Sequence, residues 1–197
     1  MIYAVIDTNV VVSSLLSKND DSPTKQVISY IYAGQLVPLV NQEIISEYSE
    51  VLNRDKFNFD SVKISDMLDV FRTKGSFTRR VLTEVKLPDN DDLIFYETYI
   101  SVSDSYLVSG NLKHFPEERR IVSPADMVQI IRSYSKQSDL LSDPAGEYMS
   151  DGKREILYRS FEAFESLCAD SVSSGTAGMS MDEIDEEIRL YRLSRTK

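Results

Sequence analysis

The feature that most constrains this chain is its opening, Ile2-Tyr3-Ala4-Val5-Ile6, which runs without a charge into Asp7-Thr8-Asn9. β-Branched and aromatic residues with no polar alternation read as a strand buried on both faces, the condition of a parallel sheet in an α/β protein. In such sheets ligands bind beyond the carboxyl ends of the strands, and Asp7 stands at that end. A carboxylate there can also do no more than cap the following helix. The residues further along decide between these readings.

The 42% hydrophobic content of the 197 residues is enough for a core in one ordinary domain with an appendage. No apolar run approaches the ~20 residues of a membrane span, and no basic segment precedes the first apolar stretch. The expectation is a soluble, cytoplasmic protein with no membrane partner. A single cysteine, Cys168, excludes an intrachain disulfide, and a single histidine, His114, leaves too few soft ligands for structural zinc. Oxygen donors are what remain for a metal. The net charge of −10, concentrated beyond residue 136, weighs mildly against a nucleic-acid partner.

Along the chain, strands alternate with helices. Val10 to Leu16 is apolar enough for a helix, Thr24 to Ala33 has helical spacing and stops at Gly34, and Leu36 to Val40 reads as a short strand. Asn41 is suited to cap a helix from Gln42 to Leu52, on which Glu47 lies at the margin of the apolar stripe Ile44, Ile45, Tyr48, Val51 and Leu52. A carboxylate there is costly unless compensated; the alternative is a stem that snorkels to water. A helix from Asp60 to Thr73 and an edge strand from Phe77 to Leu82 precede Leu87-Pro88-Asp89-Asn90-Asp91-Asp92. Acids favour a first helical turn, but four acidic or amide residues in a row exceed what capping needs and repel one another unless a cation sits among them. Ser105 to Val108 is another short buried strand, ending in Ser109-Gly110-Asn111, and a closing helix spans Ala125 to Tyr134. The pattern predicts an α/β domain with a mainly parallel sheet over residues 1–135, a linker over 136–150 and an amphipathic helical tail over 151–197.

Asp7, Glu47, Asp92 and Asn111 come from two strand ends, a helix margin and a helix start, which lets them converge at one sheet edge. Mg²⁺ and Mn²⁺ prefer such carboxylate, amide and water oxygens. At Val5-Ile6-Asp7-Thr8-Asn9-Val10, Asp91-Asp92-Leu93-Ile94-Phe95-Tyr96-Glu97 and Ser105 to Pro116 the sequence resembles the PIN-domain nucleases, in particular the toxin-like members of bacterial toxin–antitoxin pairs. The resemblance implies a three-layer α/β/α fold and a Mg²⁺- or Mn²⁺-dependent endoribonuclease acting on RNA. It implies Asp7, Glu47 and Asp92 as catalytic, metal-binding acids, with Asn111 where many members carry a fourth Asp. Thr8, Asn9, Asp91 and Ser109 are expected to support the site. The rival is a PIN-fold binding module with weakened catalysis, favoured by Asn111 and the acidic surface. A haloacid-dehalogenase-like phosphatase would want an Asp at position 9, where Asn9 stands.

In the tail, Ile156 to Cys168 and Met181 to Leu193 have helical spacing, the second with Ser180 and Glu183 placed for a capping box; Ser171 to Gly178 reads as flexible. The run from Ser180 to Arg189 loosely resembles the C-terminal segments of small bacterial antitoxins. The expected partners are RNA and either an antitoxin protein or this antitoxin-like tail, with a homodimer left open. Folding back would bring Arg189 or Arg192 to the acids; a frayed acidic tail is the alternative.

Overall fold

A computed structural model describes residues 1–138 and 150–195. Five short strands form one all-parallel sheet: β1 (Ile2–Ile6), β2 (Leu36–Val40), β3 (Ser76–Phe77), β4 (Tyr106–Val108) and β5 (Ile121–Val122), in the order β3-β2-β1-β4-β5. β1 lies in the centre, with Ile2 opposite Leu36 on one side and Ile6 opposite Val108 on the other. The chain winds outward from β1 in both directions, so the switch point of the topology lies beside the carboxyl ends of β1 and β4. Ala4, Val5 and Ile6 are wholly buried, as a two-sided apolar strand requires.

Around the sheet stand α1 (Thr8–Leu16), α2 (Pro23–Tyr32), α3 (Gln42–Leu52), α4 (Ser61–Lys74), α5 (Leu93–Ile100) and α6 (Pro124–Ser138). Their starts are chemically determined: Asp7, Ser22, Asn41 and Asp60 each accept a backbone N–H of the following turn. The architecture is an α/β fold of the PIN-like, α/β/α kind, with helices added at its C-terminus. The edge strand expected over 77–82 is shorter: pairing ends at Phe77, opposite Val40, the last residue of β2.

Two helices follow, α7 (Asp151–Ser173) and α8 (Met181–Arg195). α7 is longer than its apolar spacing suggested and belongs to the core. It lies along α4 and α1, burying Leu157, Ala163, Phe164 and Leu167, with Ser160 Oγ donating to Met67 O at 2.9 Å. The stretch 171–178 is more ordered than its composition predicts: Ser171 Oγ donates to Leu15 O at 2.8 Å, and Gly175 and Gly178 turn the chain at φ 76° and 92°, where a side chain would be strained. Most of the expected linker, residues 139–149, lies outside the described residues. Among the described residues no helix is long and apolar enough to cross a membrane.

Candidate active site

The end of β1 supplies Asp7, only 3% exposed. It caps α1, its Oδ1 accepting Asn9 N–H at 3.4 Å, while its Oδ2 accepts from Ser109 Oγ at 2.6 Å. Capping and membership of the cluster are therefore compatible roles of one carboxylate. Burial, with the Asp92 charge next, pushes the Asp7 carboxyl up to about 7.

Glu47 projects from α3 into the interior, 1% exposed, and Thr8 Oγ1 donates to its Oε1 at 2.7 Å. Its carboxyl is raised by burial against the opposing pull of Arg192 and Thr8. Asp92, at the start of α5, is 1% exposed, and His114 Nδ1 lies 3.0 Å from its Oδ2. That carboxylate, through its bond to the ring, raises the His114 pKa.

From the end of β4, Ser109 Oγ also accepts Asn111 N–H at 3.0 Å. Asn9 Oδ1 takes Gly110 N–H at 3.0 Å. Asp7, Glu47, Asp92 and Asn111 thus gather at one edge of the sheet, with Thr8, Asn9 and Ser109 bonded among them. Asp91 does not join this network: it is exposed and its N–H bonds the Asp89 carboxylate at 3.0 Å.

A cation is buried in the cluster, and it is the chain's own. Arg192 of α8, 6% exposed, donates through Nη2 to Glu47 Oε1 and through Nη1 to Asp92 Oδ1 and Asp89 Oδ2, each at 2.8 Å. Burial alone would lower its pKa, but Glu47 and Asp92 hold it above the ordinary arginine value. Arg189, the other arginine the sequence suggested, faces outward and pairs with Glu186 at 2.7 Å.

α8 is seated by more than Arg192. Ile184, Ile188 and Tyr191 are buried, Arg54 pairs with Glu187 at 3.0 Å, and Asp185 accepts from Asn9 Nδ2 at 3.1 Å and Asn111 Nδ2 at 2.9 Å. The expected capping box closes its start: Ser180 N–H donates to Glu183 Oε2 at 2.7 Å, and Glu183 N–H to Ser180 Oγ at 3.3 Å.

The sequence reading missed Asp89, His114 and Asp185. Asp89 and His114 lie inside the quoted motifs, so proximity could have found them; Asp185 has no sequence signal beyond its place two turns before Arg192.

The donor set, carboxylates with an amide at the rim, suits a hard divalent cation. In the present arrangement, however, no group of three or more His, Cys, Asp or Glu among the described residues is disposed to hold a metal ion. The guanidinium provides the compensating positive charge instead.

No curated protein and no solved structure matches the chain. A family model for the PIN domain, in general a nuclease fold, matches residues 3–113. That span opens within β1, takes in Asp7, Glu47, Asp92 and Asn111, and covers more than half of the 197 residues. The chain accordingly belongs to the PIN-domain family.

Proposed function

We propose that the protein is a Mg²⁺- or Mn²⁺-dependent endoribonuclease, the toxin component of a toxin–antitoxin pair. The observation that carries the reading is the burial of Asp7, Glu47 and Asp92 around a positive charge at the switch point of a PIN-domain sheet. Three buried carboxylates are a costly arrangement for stability alone, and costly charge clusters concentrate at functional sites.

A divalent cation bound there would supply charge neutralisation and a water acidic enough to attack phosphorus. The chain's own part is to hold the acids. Ser109 Oγ–H and Asn9 N–H fix both oxygens of Asp7, Thr8 Oγ–H orients Glu47, and His114 orients Asp92. Arg80, on the strand and loop side of the site, stands 3.3 Å from Glu43 and 3.5 Å from Glu97, so an RNA contact through it would require these pairs to open.

A second reading, a PIN-fold binding module with weakened catalysis, is favoured by the same guanidinium, since a site filled by its own chain does not cleave. Arg192→Gln separates the two. Incubated with a panel of RNAs, this variant should cleave in Mn²⁺ and Mg²⁺ and not in EDTA, leaving 5′-phosphates, and adding Asp92→Asn should abolish cleavage. RNA left intact in either metal would favour the binding module.

A further inference from the structure

The second contact of α8 with the site involves an anion. Asn9 presents its oxygen to Gly110 N–H, which turns its NH₂ group outward to Asp185 Oδ1; Asn111 directs its NH₂ group to Asp185 Oδ2. A carboxylate only accepts, so both amides must face it with their donors. The ends of β1 and β4 thus carry a two-donor fork that grips one oxygen each of a two-oxygen anion. Between the two amides lies Gly110, against which the end of the Met181 side chain rests.

The anion sits in an acid-rich site: Asp92 and Asp7 oppose its charge, while the two amides and His114, 3.0 Å from Asn111 Nδ2, favour it. A tether for α8 alone did not require an acid in an acidic site, whereas a fork shaped for a phosphate accepts one readily. Asp185 and Arg192 are two helical turns apart and so lie on the same side of α8. One helix therefore presents an anion to the amides and a cation to the acids.

We propose that Asn9 and Asn111 form a subsite for a phosphate of the RNA backbone, and that Asp185 occupies it as an internal stand-in while Arg192 fills the cation seat. The proposal rests on the nuclease reading and adds the position of the substrate phosphate and the means by which α8 closes the site. Tethering gives α8 a high effective concentration, so RNA and metal compete with it at a disadvantage.

The test uses the full chain with Ile184→Ser/Ile188→Ser, which removes the apolar seat of α8 and leaves every polar side chain of the site. Binding of a short fluorescein-labelled single-stranded RNA is followed by anisotropy in EDTA, and Mn²⁺ alone by calorimetry. The released chain should bind RNA on the order of tenfold tighter than the parent. In that background Asn111→Ala should remove most of the gain. Asn111→Asp should weaken metal-free RNA binding further while leaving Mn²⁺ affinity equal or higher, an opposition of signs that a structural role would not produce. RNA affinity indifferent to both changes at 111, with Mn²⁺ still bound, overturns the phosphate subsite alone. A released chain that binds neither Mn²⁺ nor RNA overturns the nuclease reading itself. Should the double variant not fold, the near-isosteric Asp185→Asn in the otherwise unaltered chain decides: tighter RNA binding supports the subsite, and unchanged binding rejects it.

Discussion

Arg192 Nη2 meets Glu47 Oε1 at 2.8 Å with both side chains almost wholly buried, although 145 residues separate them. A buried pair of this kind adds little net stability when intact, but breaking it leaves a buried charge uncompensated, at about 3–5 kcal/mol. Here Asp92 loses its partner too. Arg192→Gln should therefore lower stability in EDTA by about 3 kcal/mol, with undocking of α8 relieving part of the strain. Urea denaturation should show the loss, and Mn²⁺ should restore much of it.

The Asp7 carboxyl makes stability pH-dependent. Its folded value of about 7 exceeds the 3.8 of a free side chain, so between these values the folded state holds a proton that the unfolded state has released. Stability should fall as the pH rises across that window and level off above it. Asp7→Asn should flatten this slope in EDTA, being neutral near pH 4 and stabilising by more than about 1 kcal/mol above pH 7. His114, raised by its bond to Asp92, contributes stability that is complete below its unfolded value and is lost as pH rises through its folded one. Asp7→Asn/His114→Asn should remove that second slope as well. Denaturation midpoints over pH 4 to 9 measure both.

α7 behaves as core rather than as a tether. Leu167 is fully buried, so Leu167→Ala should cost about 2–4 kcal/mol. A chain ending at residue 136 would strip α7 from α4 and should aggregate or melt early, which makes substitutions within α8 the better probe of the site. Cys168 reports on the same packing: burial pushes its thiol up to about 11, and its Sγ lies 3.8 Å from Ser14 O. Thiol-reactive reagents should label it slowly in the parent and faster in Leu167→Ala.

Much of this architecture was readable because its signals are local. The uncharged run of β1 needed burial on both faces, Asn41 and Asp60 announced helix starts, and Glu47 was out of place on an apolar margin. The acid run at 89–92 exceeded what capping requires, and the missing cation proved to be Arg192, which bonds both Asp89 and Asp92. Less was readable where tertiary partners decide. α7 continues past Cys168, where Ser171 finds Leu15 O, and the strand expected through Leu82 ends at Phe77 because its partner β2 ends at Val40, opposite Phe77. Between Arg189 and Arg192, three residues apart on one helix, the seating of α8 through Ile184, Ile188 and Tyr191 selects the one that faces inward.

The central claim is that the acid cluster is a cation seat which the chain's own guanidinium now fills. Calorimetric titration of Mn²⁺ into the metal-free parent, Arg192→Gln and Arg192→Gln/Asp92→Asn tests it most directly. The account predicts weak or undetectable binding by the parent, a gain of roughly tenfold or more for Arg192→Gln, and loss of that gain when Asp92 is also neutralised. An Arg192→Gln chain that remains folded and binds Mn²⁺ no better than the parent would contradict it.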